Sequence, residues 1–287
     1  MSKVISVCNQ KGGTGKTTTA INLSAALALL NKKILIVDAD PQGNSTSGLG
    51  INKNTIEKSV YDVFLGHANV RDIITKTNIK NLEIAPCNIN LTGAEIELVG
   101  ALSRETKLRK ALDSVRENYD FIFVDSPPSL GLLTLNSLVA SDSIIIPIQC
   151  EFYDLEGVSQ LLNTINLIRD GLNPGLQIEG VLLTMADFRT NLTTEVIKEI
   201  RNFFKDKVYE TIIPRNVKLS EAPSFGKPIS LYDRHSVGSK KYEELAGELL
   251  KANGLMENIT NSIENQQENL EIKDNVTITG TGGYDGK

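Results

Sequence analysis

The sequence predicts an α/β fold in which helices flank a mostly parallel, twisted sheet. Two observations support this prediction. Five short runs rich in valine and isoleucine alternate with helical stretches, and these runs are apolar on both faces, as strands buried in a parallel sheet must be. A glycine-rich segment also joins the first run directly to the first helical stretch. This alternation of strands and helices is typical of a doubly wound sheet.

The predicted elements follow one another in a regular order. The helical stretch 17–30 is rich in alanine and leucine, while 107–117 and 155–169 have apolar residues at spacings of three and four. No internal repeat is visible in the sequence, so a single domain is predicted over residues 1–254. The predicted strands are 4–8, 34–37, 121–124, 144–148 and 178–183.

The segment 255–287 differs in composition from the rest of the chain. It is rich in Asn, Gln, Glu, Thr and Gly, and it carries six acidic and two basic residues. This composition predicts an acidic, polar C-terminal tail that is disordered or partly helical. Because Leu255, Ile259 and Ile263 recur at every fourth position, a short helix is expected to continue past Gly254.

The net charge of −5 is unevenly distributed along the chain. Lys and Arg number 30 and Asp and Glu number 35, a balance that at first argues against a nucleic-acid-binding protein. Four of the five excess negative charges lie in 255–287, however, while 184–241 holds eleven basic and seven acidic residues. A basic surface is therefore predicted within 184–241.

The composition also predicts a cytoplasmic protein. The three cysteines, Cys8, Cys87 and Cys150, are far apart and form no C-x-x-C pair, which fits a reducing compartment and argues against a metal cluster within one chain. The N-terminus lacks the pattern of a signal peptide, and no stretch reaches the roughly 18 apolar residues that a membrane span needs. No association with a membrane is expected.

The strongest functional motif lies in residues 8–18, between the first predicted strand and the first predicted helix. It reads C-N-Q-K-G-G-T-G-K-T-T, which is the context and composition of a P-loop. Lys16 is expected to reach the β- and γ-phosphates of a nucleotide, and the Thr17 hydroxyl is expected to bind Mg²⁺. The glycines that would let backbone N–H groups turn toward the phosphates are Gly12, Gly13 and Gly15.

The loop departs from the general P-loop pattern in one informative way. Gln10 stands where the first glycine belongs, and the loop instead follows a narrower variant, K-G-G-x-G-K-T-T, with an additional lysine at Lys11. This segment resembles the deviant Walker A ATPases and, among them, the ParA/Soj proteins that partition chromosomes and plasmids. The resemblance covers roughly residues 1–253. The nucleotide-binding residues that it implies in the loop are Lys11, Gly12, Gly13, Thr14, Gly15, Lys16, Thr17 and Thr18.

The resemblance implies a mechanism as well as a fold. In this family two subunits enclose two ATP molecules, and the signature lysine, here Lys11, crosses to the partner's nucleotide. A second cation at that place can neutralise the charge of the transferred phosphoryl group, as an arginine finger does. ATP and Mg²⁺ are the implied cofactors, with Lys11 and Lys16 among the implied catalytic residues.

Acidic residues follow two of the predicted strands. The segment 38–44 reads D-A-D-P-Q-G-N and matches the family's second motif, in which Asp40 orients or activates the attacking water. Asp38 has either a direct or a supporting role near the metal. Asp125 ends the strand F-I-F-V and is followed by S-P-P, as in a Walker B strand that holds Mg²⁺. The residues expected at the Mg²⁺ site are therefore Thr17, Asp38, Asp40 and Asp125.

A third resemblance lies near the end of the basic segment. Residues 212–224 resemble the family's I-P-R-N-x-x-x-x-E-A-P segment, which lines the adenine base. The resemblance places Pro214, Arg215 and Asn216 at the base, where an Asn side chain offers both a donor and an acceptor. Met185, at the end of the predicted strand 178–183, either borders the base or belongs to the core.

Two basic residues stand at positions where partition ATPases contact DNA. These residues are Arg189 and Lys218, and the resemblance implies that they bind phosphates without reading sequence. No helix-turn-helix domain precedes the P-loop, which also predicts nonspecific binding to DNA. The partners implied are a second copy of the chain, DNA and a centromere-binding protein of the ParB/Spo0J type, at the nucleoid.

The predicted function is therefore that of a DNA-segregation ATPase, and rival classes remain open. A MinD-like cell-division regulator would need a basic amphipathic C-terminal helix, whereas the tail 255–287 is acidic and contains only one aromatic residue, Tyr284. A nitrogenase iron-protein type would need paired cluster cysteines. A biosynthetic ligase or kinase is a third alternative. Only the D-P-Q-G-N and E-A-P segments of this chain argue against it, because they favour partitioning.

Overall fold

The computed structural model describes residues 2–150 and 155–255. The chain divides into two units, Met1–Ala246 and Gly247–Lys287. In the second unit, the described part is 247–255, which contains the end of the last helix. The predicted helical extension at Ile259 and Ile263 and most of the predicted tail lie outside the described residues. The domain boundary expected at Gly254 stays a prediction.

The described part of the first unit contains one sheet of eight strands. Their order across the sheet is β3-β4-β2-β5-β1-β6-β7-β8, with β3 antiparallel to β4 and the other neighbouring pairs parallel. The predicted class, α/β with a mostly parallel sheet, is confirmed. The strands are β1 (Lys3–Val7), β2 (Ile34–Asp38), β3 (Thr75–Lys76), β4 (Leu82–Ala85), β5 (Phe121–Asp125), β6 (Ser143–Gln149), β7 (Gln177–Ala186) and β8 (Val208–Pro214).

Helices connect the strands, and single 3-10 turns occur at six places within the described residues. The helices are α1 (Lys16–Leu29), α2 (Asn44–Gly48), α3 (Val60–Leu65), α4 (Val70–Ile73), α5 (Leu91–Glu97), α6 (Lys107–Asp113), α7 (Leu132–Ala140), α8 (Leu155–Gly171), α9 (Asn191–Phe204), α10 (Val217–Glu221), α11 (Ile229–Tyr232) and α12 (Val237–Ala252). The 3-10 turns are Lys53–Thr55, Leu98–Gly100, Arg104–Thr106, Arg116–Asn118, Lys205–Lys207 and Ala222–Phe225.

One predicted helix is shorter than its sequence pattern indicates. The stretch 107–117 was expected to be helical throughout, but α6 ends at Asp113. The chain then leaves the helical path at Val115, whose φ and ψ are −120° and −10°, and forms a 3-10 turn. Val115 is buried in the core at this point, so the chain bends inward to enter β5 instead of continuing along the surface.

The core lies on both faces of the sheet, which explains the continuous apolar runs. One cluster includes Leu35 of β2 and Ile122 of β5, and the other includes Ile146 of β6 and Leu183 of β7. Helix α1 is buried along most of its length, consistent with its alanine-rich sequence, since small side chains let a helix approach a sheet closely. The parallel strands therefore end together at one edge, where their loops can form a site.

Candidate functional site

Three sequence motifs meet at the carboxyl edge of the sheet. Strand β5 lies between β1 and β2, and its last residue, Asp125, pairs in register with Val7 on one side and Asp38 on the other. The glycine-rich loop follows directly after Val7. The structure therefore brings the loop and the two acidic strand ends together, although Asp125 is distant from the other two motifs in the sequence.

The glycine-rich loop is held in shape by its backbone and by two neighbouring side chains. Gly13 and Gly15 have φ values of +76° and +89°, a region that favours glycine, and Gly15 is the N-cap of α1. The Thr184 hydroxyl donates to the Thr14 carbonyl at 2.9 Å. Asn9 accepts a hydrogen bond from the Lys11 N–H at 3.0 Å and donates to a carbonyl of β6. These hydrogen bonds and glycine conformations together define the shape of the loop.

Lys16 lies beneath this loop with only 6% of its surface exposed. Its ammonium group donates to the Lys11 carbonyl at 3.0 Å, so the amine is directed into the loop. Burial lowers the pKa of Lys16, while the nearby Asp125 carboxylate acts in the opposite direction. A desolvated cation inside a ring of backbone N–H groups is an arrangement that binds phosphate.

The two carboxylates at the strand ends are buried side by side. Asp38 accepts hydrogen bonds from the N–H and the hydroxyl of Thr46 at 2.8 and 2.6 Å. Asp125 accepts from the Ser45 hydroxyl through Oδ2 at 2.7 Å, whereas its buried Oδ1 accepts none within the part of the chain described. Burial raises the pKa of both carboxyl groups, and the charge of Asp38 raises that of Asp125 further. A cation at this place would relieve both effects.

The residues at this edge fit Mg²⁺ better than a metal held by protein side chains alone. Among residues 2–150 and 155–255, no three His, Cys, Asp or Glu side chains form a group that could hold a metal by themselves. Mg²⁺ usually binds one or two carboxylates together with substrate phosphates and water. Two groups beside the loop could supply such a partial set of metal ligands. One is the buried Oδ1 of Asp125, and the other is the Thr17 hydroxyl, whose hydrogen bond to the Asp125 carboxyl group lowers the pKa of Asp125.

A hydrogen bond from Lys53 holds the D-P-Q-G segment that follows β2. Asp40 is 6% exposed and accepts from the Gln42 N–H at 2.9 Å. The Lys53 ammonium group donates to the Gln42 carbonyl at 2.6 Å. Gly43 has a φ of +61°, and a Cβ there would lie 3.2 Å from the Lys53 side chain and 3.3 Å from the Cys87 carbonyl. Glycine is therefore needed at this turn, and Lys53 holds the segment that carries Asp40.

A cavity of about 410 Å³ opens beside the helix end of the loop. Met185, Pro214, Arg215 and Asn216 all line it, together with Thr18 of α1. Met185 has a φ of +53°, an uncommon conformation for a residue with a side chain and one that occurs at ligand-binding sites. The structure therefore brings the residues predicted to contact a base into one cavity next to the loop.

Asn216 has a structural role that the sequence did not predict. Its Oδ1 caps α10 by accepting from the Lys218 N–H at 2.9 Å. One acceptor position of the amide is thus already used, which leaves the Nδ2 donor as the group better suited to a ligand.

The two predicted DNA-contacting residues lie near the carboxyl ends of neighbouring strands, and each is paired with an acid. Arg189, after β7, donates to both carboxylate oxygens of Asp187 at 2.8 and 2.5 Å, which lowers the Asp187 pKa to about 2. The ammonium group of Lys218, in α10, lies 3.0 Å from the Glu221 carboxylate. Exposed ion pairs of this kind contribute little to stability, because water screens both charges.

Several residues that shape the site were missed by sequence reasoning. Ser45 and Thr46 directly follow the D-P-Q-G-N motif, and two adjacent hydroxyls at a helix start were an available signal. Lys53 carries no such signal because lysines are common in surface loops. The remaining missed residues are Asn9, Thr184 and Tyr242, the last of which lines the cavity and shares a 3.3 Å hydrogen bond with Thr19.

The fold and the site together define the class of this protein. A glycine-rich loop between β1 and α1, with acidic residues ending β2 and β5, is the arrangement of a P-loop ATPase, and the family described as AAA domain matches residues 2–178.

Comparison with known proteins narrows the class further. The chain is 59% identical over 254 residues to the sporulation initiation inhibitor protein Soj of Bacillus subtilis, covering 88% of this chain and 100% of that protein. It is 52% identical to the chromosome partitioning protein ParA of Myxococcus xanthus, covering 88% and 89% of the two chains. The chain belongs to the Soj/ParA family of partitioning ATPases.

Solved structures of more distant proteins share the fold. A cobyrinic acid a,c-diamide synthase from Mycobacterium smegmatis with bound ADP and magnesium is 35% identical with a TM-score of 0.78, over 88% of this chain and 95% of that one. The septum site-determining protein MinD from Pyrococcus horikoshii, complexed with Mg-ADP, is 27% identical with a TM-score of 0.71, over 89% and 98%. In the part of the chain that is described, no helix is both long and apolar enough to cross a membrane.

Proposed function

We propose that this protein is a DNA-segregation ATPase that converts ATP and water to ADP and phosphate. In this proposal an ATP-bound dimer binds nonspecific DNA at the nucleoid in the cytoplasm. A centromere-binding partner of the ParB/Spo0J type then accelerates hydrolysis and returns the protein to monomers. The observation that carries the proposal is the intact K-G-G-x-G-K-T-T loop in a chain 59% identical to Soj along that protein's whole length.

ATP and Mg²⁺ are the cofactors that the geometry supports. The loop backbone and Lys16 would bind the phosphates, and Met185, Pro214, Arg215 and Asn216 would bind the base. Thr17 and Asp125 would hold Mg²⁺, with Asp38 and Asp40 close by. When bound, Mg²⁺ would supply positive charge that neutralises the nucleotide phosphates.

The chain's own residues would carry out three tasks in hydrolysis. Asp40 orients or deprotonates the attacking water, a role that suits a carboxylate just after the end of β2. Lys16 stabilises charge on the β- and γ-phosphates from below. Lys11 of a second copy would approach from across the dimer interface, and the open space around Gly12, where a Cβ would meet nothing within 4 Å, leaves room for that approach.

Dimerisation would act as the switch for DNA binding. Arg189 and Lys218 lie at the carboxyl edge of β7 and β8, so one copy presents few basic groups to DNA phosphates. Two copies present twice as many, and affinity for DNA depends steeply on the number of phosphates neutralised. The Asp187 and Glu221 partners keep both basic side chains positioned until phosphates replace them.

The DNA-binding part of the proposal is tested by the double variant Arg189→Gln/Lys218→Gln. With a non-hydrolysable ATP analogue, we expect its affinity for random-sequence duplex DNA to fall. The slope of log K against log salt should decrease by about 0.9 for each DNA phosphate that the variant no longer neutralises. Fluorescence anisotropy at several salt concentrations measures both quantities, and sedimentation measures dimerisation in the same samples.

Lys58→Gln/Lys110→Gln is the matched control, since it removes two positive charges at exposed lysines elsewhere in the chain. The proposed DNA surface is wrong if both proteins bind DNA equally weakly, or if wild-type protein binds DNA equally well with ADP and with the analogue.

A second prediction concerns Lys53, which holds the Asp40 segment without lining the loop. Lys53→Met should lower kcat for ATP hydrolysis about tenfold and leave KM unchanged, because losing a charged hydrogen bond to Gln42 lets Asp40 drift from the attacking water. Steady-state hydrolysis over a range of ATP concentrations separates the two constants.

Lys58→Met, at an exposed lysine, serves as the control for this measurement. Lys53→Arg should restore part of kcat, since a guanidinium can still donate to the Gln42 carbonyl. A rise in KM with an unchanged kcat would mean that Lys53 contributes to binding and does not position Asp40.

The MinD-like alternative has weaker support than partitioning. Its fold is shared, but the MinD structure is 27% identical whereas the Soj and ParA relatives are 59% and 52% identical. ATP-dependent sedimentation of the full chain with anionic liposomes would favour this alternative.

A further inference from the structure

A second cavity lies at the amino edge of the sheet, opposite the glycine-rich loop. It has a volume of about 470 Å³ and is formed where the chain enters β2, β4 and β5. Lys33 immediately precedes β2, Leu82 begins β4, and Tyr119 comes two residues before β5. Because these strands are parallel, their amino ends are separated from the carboxyl edge by the full length of the sheet. The cavity is therefore distinct from the candidate ATP site.

The residues that line the cavity carry a net charge of +2. Lys33, Lys76 and Lys80 all line it, and Glu83 is the one acidic residue among its lining residues. The Glu83 carboxylate already accepts a hydrogen bond from the Tyr119 hydroxyl at 2.6 Å. Within residues 2–150 and 155–255, none of the three lysine ammonium groups has an ion-pair or hydrogen-bond partner.

A neighbouring acid, Asp120, also accepts a hydrogen bond from a group other than a lysine side chain. Asp120 accepts a hydrogen bond from the Lys33 backbone N–H at 2.7 Å through Oδ2, so its carboxylate is held by the main chain. Glu83 lies opposite Lys76 in the register of β3 and β4. Within the described residues, however, neither Asp120 nor Glu83 forms an ion pair with a lysine ammonium group of the cavity. The three exposed lysines therefore line one cavity whose neighbouring acids already accept hydrogen bonds from other groups.

The walls of the cavity are ordered by hydrogen bonds between its three entry loops. The Thr77 hydroxyl donates to the Leu82 carbonyl at 2.8 Å, which closes the turn that carries Lys80. The Asn81 carbonyl accepts from the Ile34 N–H at 2.8 Å, and the Lys33 carbonyl accepts from the Asp120 N–H at 2.8 Å. Each lysine thus projects from a backbone fixed to its neighbours, so binding does not require a loop to be ordered first.

We propose that this cavity is a binding site for a small polyanion of the oligophosphate class. Its volume lies within the range of about 300–1,000 Å³ that is usual for small-molecule sites. Three unpaired lysines match a ligand with two or more phosphate groups, and Thr77, Asn81 and Asn118 line the same space with uncharged polar groups. A concave site suits a compact ligand better than the long surface of a DNA duplex. This inference does not depend on the proposed ATPase cycle.

The test uses the full chain and inorganic tripolyphosphate as the probe. The Lys16→Ala background weakens phosphate binding at the glycine-rich loop, so calorimetric titration of that variant should retain one tripolyphosphate-binding event. Adding Lys76→Gln and Lys80→Gln should lower the affinity of that event by about tenfold for each lysine removed, since each lysine contributes a charge-assisted hydrogen bond. Circular dichroism verifies that each variant is folded.

The matched control replaces Lys58 and Lys110 by glutamine in the same background, which removes equal charge outside the cavity. Its affinity for tripolyphosphate should stay within about twofold of the background. The proposal is overturned if Lys16→Ala protein binds no tripolyphosphate, or if both double variants lose affinity equally. It is also overturned if the Lys76 and Lys80 changes weaken binding of duplex DNA while leaving tripolyphosphate binding unaltered.

Discussion

Replacing Asp40 by alanine should lower kcat for ATP hydrolysis by about 10²- to 10⁴-fold while leaving ATP binding intact. The side chain is 6% exposed and is oriented by the Gln42 N–H, so the substitution removes a positioned base without altering the phosphate-binding loop. A calorimetric titration with a non-hydrolysable ATP analogue and a phosphate-release assay measure the two quantities separately.

The same variant tests the proposed cycle. Because Asp40→Ala protein would bind ATP without consuming it, we expect ATP to hold it as a dimer that stays on DNA. Asp113→Ala, at an exposed acid that ends α6, is the control and should hydrolyse ATP at the wild-type rate. If Asp40→Ala protein neither dimerises nor binds DNA with ATP, the sandwich-dimer proposal fails.

Replacing Lys16 by alanine should weaken ADP binding by about 10²- to 10³-fold, since a desolvated ammonium group makes strong charge-assisted hydrogen bonds to phosphate. Lys16 is buried, and its amine is already directed into the loop by the Lys11 carbonyl. Isothermal titration with Mg-ADP measures the decrease in affinity. Thermal unfolding of the ligand-free variant shows whether removing the cation beside Asp125 also changes stability.

Lys11→Ala is the sharpest control for this experiment. It removes the same charge from the same loop, but the amine of Lys11 is proposed to act on the nucleotide of a second copy. The variant should therefore bind Mg-ADP nearly as wild type does and lose ATP-dependent dimerisation. Equal weakening of ADP binding by the two variants would contradict the assignment of different roles to the two lysines.

The strands that the sequence predicted are those whose pattern is local. Strands β1, β2, β5, β6 and β7 are mostly buried, so each contains a short run dominated by apolar residues; Ser6 in β1 and Glu179 in β7 are polar exceptions within those runs. Strand β8 was not among the predicted strands, because an exposed Glu210 interrupts its apolar residues. Strands β3 and β4 were also missed, because β3 has two exposed residues and β4 has four residues with a half-buried Glu83 among them. Such short strands near the edge of a sheet carry too little apolar sequence to be recognised without their neighbours.

The chemistry of this protein could be inferred from the amino-acid sequence without any coordinates. A P-loop is a local structure, in which glycines, a lysine and a threonine at fixed spacing specify a phosphate-binding turn wherever a strand precedes them. The same holds for the acids that end β2 and β5, since the end of a parallel strand reaches the ligand edge in any doubly wound sheet. These residues could be named because their geometry depends on their immediate neighbours.

The side chains that support these residues, by contrast, could be identified only in the folded chain. Ser45 reaches Asp125 across 80 residues, Thr184 reaches the Thr14 carbonyl across 170, and Tyr242 reaches Thr19 across 223. A hydroxyl group can serve any acceptor that the fold places within about 3 Å, so its own sequence context does not specify its partner. The partner is set by the order of strands in the sheet, which differs from their order in the chain and brings these distant segments together.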